Sequence, residues 1–328
     1  MISKEENELL TRVGPGTPMG GLLRRYWHPI AAADQLVGAS TLPVKVLGEE
    51  LVLFRDGSGE FGLVERHCPH RRVDLSYGIP EASGLRCMYH GWLFSGAGDC
   101  LEQPFEETVH PDGRFKEKVK ITAYPVQELG GLIFAYLGPT PTPLLPRWDL
   151  FVEENAVRQV GLSVVPCNWL QIVENALDPV HVEWLHGAYG KYVMSQREDA
   201  DPALLATFES FTRRHQEIAF EVFEHGIVKR RLVEGASRDD EDWAVGHPMV
   251  FPCMLRVGGG GAHTFQIRTP LDDHTTLQMF YTAFFAPPGR QAPHQESVPS
   301  FWQPVYDANG RFNVETANSQ DIMAWVVQ

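Results

Sequence analysis

Hydrophobic and polar positions change period along this chain, and the changes mark its organisation. The segment KEENELLTRV, residues 4–13, carries apolar side chains at helical spacing and predicts a short amphipathic helix. From Trp27 to about Gly138 the period becomes two. PVKVLGEELVLFRDGSGEFGLVE predicts two or three strands, turning at Asp56-Gly57 and near Gly59. ITAYPVQELGGLIFAYLG predicts a hairpin that turns at Gly130-Gly131. So many short strands in about a hundred residues indicate a small all-β domain. PTPTPLLP, from Pro139 to Pro146, is a stiff, extended linker and sets the domain boundary. Beyond it, VRQVGLSVVPCNWL predicts a strand and NWLQIVENALD a helix. ATFESF, EIAFEVFEHGIVKRRLVE, FPCMLRV and HTFQIRTPLDDHTTLQMFYTAFFA predict further strands of an antiparallel sheet, and ETANSQDIMAWVVQ the start of a closing helix. The expected fold is α+β: a helix-and-turn segment at 1–26, an all-β domain at 27–138, and at 139–328 a domain with an antiparallel sheet flanked by helices.

Composition narrows the function classes. The chain has 328 residues, 43% hydrophobic and 21% charged, as in ordinary soluble globular proteins. No apolar run is long enough for a membrane span, and the charged start MISKEENELLTRVG does not suit a secretory signal. A formal net charge of −14 disfavours nucleic acid and anionic membranes as partners. The glycine-rich stretch Gly14–Gly21 follows no strand and contains Pro15 and Pro18, so it is a turn-rich connection, not a nucleotide loop. Of five cysteines, Cys100, Cys167 and Cys253 are scattered, which suits buried, reduced thiols and a cytoplasmic location.

Two constellations carry chemistry. The first is Cys68-Pro-His70 and, after sixteen intervening residues, Cys87-Met-Tyr-His90. A Rieske [2Fe–2S] cluster takes both cysteines on one iron and both histidines on the other. A structural zinc could also use two cysteines and two histidines, but zinc knuckles usually pair ligands of one kind. Here each short run holds one of each, as needed when each loop gives one ligand to each iron. The second constellation is ENALDPVHVEWLHG, residues 174–187, in which His181 and His186 are five apart. That spacing does not align them on a regular helix face. Asp178 before Pro179 predicts a cap for a second short helix carrying His181, with His186 at its end and Gly187 as the residue just past it. Two histidines and a distant carboxylate make the facial triad of non-haem Fe(II) oxygenases. Asp272, Asp273, Asp307 and Asp321 are the downstream candidates, Asp321 lying at the start of a helical stretch.

Together, GPGTPMGGLLRRYWHP, CPHRRVDLSYG, LRCMYHGW, ENALDPVHVEWLHG and SQDIMAWVVQ resemble the oxygenase α-subunit of Rieske non-haem iron oxygenases, in the phthalate dioxygenase-like branch. The resemblance covers nearly the whole chain. It implies Cys68, His70, Cys87 and His90 as cluster ligands and His181, His186 and Asp321 as Fe(II) ligands. It also implies Asp178 as the carboxylate linking cluster to iron, and Asn175 as an asparagine beside the metal. The implied activity is O₂-dependent hydroxylation of a small aromatic substrate, an aromatic carboxylate foremost, with O-demethylation of an aryl ether or plain electron transfer as alternatives. Electrons come from NAD(P)H through a separate reductase of flavin or ferredoxin type. The implied assembly is a head-to-tail homotrimer, or a hexamer of two such trimers, in which one chain's cluster serves its neighbour's iron. Relatives continue past the Asp321 segment, so Gln328 is expected to be a truncated end. Respiratory Rieske proteins carry a disulfide where this chain has Val73 and Tyr89, which implies a potential near the low end of the Rieske range. Arg230, Arg231, Arg256 and Arg268 are candidates for a substrate carboxylate, and Phe251, Met254, Phe265, Met279 and Phe284 for an apolar pocket.

Overall fold

The computed structural model describes residues 2–259 and 261–328. They pack as two units: Met1–Glu154 with Leu271–Asp273 and His294–Ser300, and Asn155–Pro270 with His274–Pro293 and Phe301–Gln328. Among the described residues no helix is long and apolar enough to cross a membrane.

The first unit opens with the expected helix, Lys4–Thr11. Ser3 caps it reciprocally: its hydroxyl accepts from the Glu6 N–H at 3.1 Å, and the Glu6 carboxylate accepts from the Ser3 N–H at 2.7 Å. The strands are β1 (Trp27–Ala32), β2 (Thr41–Val46), β3 (Glu49–Arg55), β4 (Phe61–Glu65), β5 (Ile79–Glu81), β6 (Gly84–Arg86), β7 (Leu93–Phe94), β8 (Cys100–Glu102), β9 (Ala123–Tyr124), β10 (Val126–Leu129) and β11 (Leu132–Tyr136). They form three antiparallel sheets, in orders β1-β11-β10, β2-β3-β4-β9 and β5-β6-β7-β8. The β10–β11 turn falls where the sequence places it, with Gly130 and Gly131 both at positive φ, 61° and 80°. Val52, Phe54, Val64, Leu85 and Phe94 pack around Cys68 and Cys87, so both thiols belong to the hydrophobic core.

The second unit is built on one eight-stranded sheet in the order β13-β14-β15-β16-β17-β18-β12-β19. Its strands are β12 (Ala156–Val165), β13 (His215–Phe223), β14 (Gly226–Val233), β15 (His247–Val250), β16 (Met254–Gly259), β17 (Ala262–Pro270), β18 (Thr276–Phe285) and β19 (Ser300–Trp302). Two helices are fixed to one face. Ile172 of Trp169–Ala176 and Ile322 and Trp325 of Ala317–Val327 pack with Val165 and Phe280. Ala176 packs with Met249 and Leu255.

Two expectations are corrected. ATFESF is not a strand; it lies inside the helix Pro202–Phe211. The helical period is visible only from Pro202, where Leu204, Leu205, Phe208 and Phe211 recur at three- and four-residue spacing. Asp201 caps that helix by accepting from the Ala203 N–H at 2.9 Å, with Pro202 in the first turn. Nor does Gly187 end a short helix. The segment Val182–Tyr189 is a π-helix that runs through Gly187 into the α-helix Gly190–Ser195. Glycine is required at 187, because a Cβ there would lie 2.8 Å from the Thr212 nitrogen and 2.9 Å from the Phe211 carbonyl carbon.

Candidate metal centres and substrate cavity

The two cysteine–histidine loops of the first unit share one backbone design. The Cys68 N–H bonds Val73 O at 3.0 Å and the Arg72 N–H returns to Cys68 O at 2.8 Å. Likewise the Cys87 N–H bonds Trp92 O at 2.8 Å, and the Gly91 N–H returns to Cys87 O at 3.0 Å. The fourth residue after each cysteine is left-handed, Arg72 at φ 59° and Gly91 at φ 76°. Two tight turns therefore present Cys and His side chains from each loop. The cysteines are buried and the histidines exposed. The His70 and His90 rings lie 4.6 Å apart, and His70 stacks on Trp92 at 4.8 Å and 7°. Burial pushes the Cys68 thiol up to about 11, and the Cys87 sulfur beside it adds to this, although the backbone N–H groups of His70 and Arg71 point at its sulfur.

These side chains suit two irons better than one zinc. Ligand atoms around a single tetrahedral ion lie about 3.3–3.8 Å apart. Among the described residues, the only three His, Cys, Asp or Glu side chains whose ligand atoms gather within 4.8 Å are His181, His186 and Asp321. The first loops offer two neighbouring sulfurs inside and two neighbouring imidazoles outside, which is the donor division of a Rieske cluster. All five cysteines are free, and Val73 and Tyr89 leave no disulfide between the loops.

In the second unit the π-helix resolves the spacing of the histidines. Bonding from i to i+5 widens the turn, so residues five apart stack. His181 precedes the π segment and His186 lies within it, with ring centroids 5.1 Å apart and nearly perpendicular. Asp321 reaches both from the helix Ala317–Val327: its Oδ1 lies 3.5 Å from His181 Nε2 and 3.2 Å from His186 Nε2. Donors around one shared ion lie about 3 Å apart. Asp321 Oδ1 is buried with no hydrogen-bond partner, as expected of a site that a cation completes. The other candidate carboxylates are engaged elsewhere. Asp272 pairs with Lys45 at 2.6 Å, Asp273 accepts from the Val13 N–H at 2.8 Å, and Asp307 accepts from Asn309 and Arg311 N–H groups at 2.8 and 2.9 Å.

Groups behind the histidines set their orientation. His186 Nδ1 donates to Gln320 Oε1 at 3.1 Å, which turns Nε2 toward Asp321. Gln320 is fully buried and held in turn through Val314 O at 3.0 Å. Behind His181, Asp178 Oδ2 stands 3.6 Å from Nδ1. Asp178 also accepts from the Val180 N–H at 2.8 Å, so the capping geometry and a position beside His181 coexist in one carboxylate that is 49% exposed.

His181, His186 and Asp321 open onto a cavity of about 460 Å³. Its floor is the helix-covered face of the sheet: Lys229 and Arg231 from β14, His247 from β15, Leu255 and Val257 from β16, and Gln266 from β17. These alternate along each strand and meet in register, Lys229 opposite His247 and Leu255 opposite Gln266. Asn175 lies in the helical roof beside the histidines, and Glu241 and Asp242 line another wall. Asp242 binds Arg231 Nε at 2.8 Å and His247 Nε2 at 3.0 Å. Lys229 is 5% exposed, and burial pushes it down to about 8, with Arg231 and Arg268 adding to the effect.

Of the four strand arginines, only Arg231 lines this cavity. Arg230 faces the other way and pairs with Glu221 at 3.1 Å, while the fully buried Arg268 donates to Gln266 O and Oε1, each at 2.7 Å. The expected apolar lining is elsewhere too. Met254, Phe265 and Met279 are core, Phe251 and Phe284 are partly exposed, and none borders the cavity. Lys229, His247 and Asp242 escaped the sequence reading. The signal available was the parity of GIVKRRLV, where Lys229 and Arg231 share a face that Arg230 does not.

The first unit carries a Rieske [2Fe-2S] domain, matched by its family model over residues 26–124. The whole chain is 43% identical over 328 residues to the 5,5'-dehydrodivanillate O-demethylase oxygenase subunit of Sphingobium sp. SYK-6, covering 100% of this chain and 74% of that protein. It is 40% identical over 193 residues to the phthalate 4,5-dioxygenase oxygenase subunit of Pseudomonas putida, covering 57% of this chain and 43% of that protein. The NdmA structure from Pseudomonas putida CBB5 has the same fold, with a TM-score of 0.60 at 21% identity over 82% of this chain and 75% of that one. The chain belongs to the oxygenase subunits of Rieske non-haem iron oxygenases, oxidoreductases that carry a [2Fe–2S] cluster and a non-haem iron.

Proposed function

We propose that this chain is the terminal oxygenase of an aromatic O-demethylating system, with ring hydroxylation of an aromatic acid as the second reading. The observation that carries it is the His181–His186–Asp321 constellation opening onto a cavity of about 460 Å³, the size of a small-molecule pocket. The relative aligned over the full chain is named as an O-demethylase oxygenase subunit, which favours the first reading, and the phthalate dioxygenase relative motivates the second.

In this reading Cys68, His70, Cys87 and His90 hold the cluster, and His181, His186 and Asp321 hold Fe(II). When bound, the cluster supplies single electrons and the iron supplies O₂ activation. The chain's own groups do the rest. Gln320 holds the His186 tautomer, the Asp178 carboxylate stands 3.6 Å from the outer nitrogen of His181, and Asn175 borders the reacting end of the cavity. The strand floor and helical roof hold the substrate ring and exclude water. Overall, one oxygen atom enters a methyl C–H bond, the phenol and formaldehyde separate, and the second oxygen leaves as water with two electrons and two protons. A separate NAD(P)H-dependent reductase supplies the electrons. The assembly is a head-to-tail trimer, single or doubled, in the cytoplasm, with the exposed His70 and His90 and the half-exposed Asp178 at the contact between copies.

The test is a screen of methoxylated and unsubstituted aromatic acids with iron-loaded protein and a surrogate reductase, measuring O₂ consumed, formaldehyde and phenol. Formaldehyde in proportion to O₂ supports demethylation, and a dihydrodiol supports the second reading. Fully metal-loaded protein that consumes no O₂ above the substrate-free rate with any compound refutes both.

A further inference from the structure

Lys229 stands apart among the charged groups of the cavity. It lies mid-strand in β14, is 5% exposed, and lines the same cavity as His181, His186 and Asp321. Its neighbours are already satisfied. Arg231 pairs with Asp242 at 2.8 Å, and the same carboxylate fixes His247, which faces Lys229 across the strands. Arg230 points to the other face and pairs with Glu221. The Lys229 ammonium has no ion pair or hydrogen bond among the described residues, and feels Asp178 and Asp321 only through space. In this reading Asp321 is committed to the iron. A buried ammonium without a partner is costly, and a fold keeps one where a ligand completes it or where it serves function. Its pKa, near 8, still leaves it cationic at neutral pH. Glu241, the other unpaired charge on the lining, is exposed.

We propose that Lys229 is the specificity-determining cation of this site and receives a carboxylate carried by the aromatic substrate. This rests on the oxygenase reading and deepens it. Lys229 belongs to the strand floor, and the iron-binding side chains belong to the helical roof. A ring spanning the two has its carboxylate at Lys229 and its reacting carbon beneath His181, His186 and Asp321. Lysine at this position meets the carboxylate as a point charge with three donors, so it selects charge more than a fixed bidentate geometry.

The experiment is equilibrium binding to iron-loaded, oxidised enzyme without reductase, so turnover plays no part. The probes are 4-hydroxy-3-methoxybenzoate and its methyl ester, which loses the charge and adds one methyl group; the Lys229→Met variant separates the two effects. Wild-type enzyme is expected to bind the acid at least about tenfold tighter than the ester. Lys229→Met should weaken the acid by about thirtyfold or more, with the ester little changed, and Lys229→Arg should keep part of the preference for the acid. Iron content, measured on each variant, should match wild type. Wild-type enzyme that binds the ester as well as the acid, or fails to bind the acid, overturns the proposal. So does a Met variant that keeps the full discrimination, because Lys229 then serves only to balance Asp321. Failure of the oxygenase reading would instead appear as absent turnover in the separate screen with reductase, with the acid–ester difference in binding intact.

Discussion

Gln320 offers the sharpest test of how this fold holds its iron. It is fully buried, accepts from His186 Nδ1 at 3.1 Å and donates to Val314 O at 3.0 Å. Gln320→Leu keeps the approximate volume and removes both bonds. Each neutral hydrogen bond contributes about 0.5–1.5 kcal/mol, and leaving the His186 N–H buried without an acceptor costs about 1–3 kcal/mol. Part of that cost falls on the fold and part on the metal, because the imidazole loses its fixed tautomer and direction. Outer partners of metal-binding histidines are worth about 10–100-fold in metal affinity, or about 1.4–2.7 kcal/mol. The expected result is an Fe(II) affinity down by that factor, read by competition against a colorimetric chelator, with thermal stability lowered by about 1–3 kcal/mol. Gln320→Glu separates the two effects. It keeps an acceptor for His186 and loses the donor to Val314 O, so iron affinity should recover more than stability does. A Leu variant that binds iron as tightly as wild type would refute the idea that Gln320 orients His186.

Three further outcomes are expected. Asp178→Asn, which keeps the capping oxygen, should leave cluster and iron content unchanged and lower product formation by about 100-fold or more, measured with saturating reductase. His28 is fully buried with Nε2 2.8 Å from Leu23 O, and burial lowers it from 6.5 to about 4. The neutral form is therefore favoured in the fold, its stabilisation is complete above the unfolded value, and up to about 3 kcal/mol is lost as pH falls from 6.5 to 4. His28→Gln should flatten that acid limb in denaturant titrations, and an unchanged limb would assign it to other groups. The cluster should show a reduction potential near the low end of the Rieske range, and a redox titration placing it well above zero would contradict the reading of Val73 and Tyr89.

Much of this molecule was legible in its sequence, for identifiable reasons. Strands betray themselves by alternation, and β2, β3, β4 and the Gly130-Gly131 hairpin lie where the period of two predicts them. Asp321 was separable from Asp272, Asp273 and Asp307 by the helical stretch that follows it, and the structure brings only Asp321 to the two histidines. The misses have local causes. In PALLATFESF, six residues taken alone alternate, while the full ten show helical spacing and an Asp-Pro start. The five-residue separation of His181 and His186 looked like an obstacle because the α-helix was the reference, and the π-helix makes it the natural spacing. The cavity lining was misjudged because large apolar side chains were sought in the sheet. The largest ones fill the core, and the cavity takes the face on which β14 carries Lys229 and Arg231.

The two centres follow one rule. In the first unit the sulfurs are buried and the imidazoles exposed. In the second, the Nε2 atoms of both histidines face the buried Asp321, and the Nδ1 of His181 faces outward to the half-exposed Asp178. Each centre therefore turns an imidazole N–H away from its core, a donor with no charge of its own: an exposed ring at the cluster loops, and at the second site the buried Nδ1 of His181 behind the half-exposed Asp178. A carboxylate is suited to join two such donors, because its two oxygens offer about four acceptor sites. Asp178 uses one for the Val180 N–H and turns another toward His181, which leaves capacity for a donor from outside the chain. An asparagine has one oxygen and an NH₂ group in place of the second, so it keeps the cap and presents a donor where an acceptor is required. That is why the substitution is expected to spare both metals and stop the traffic between them.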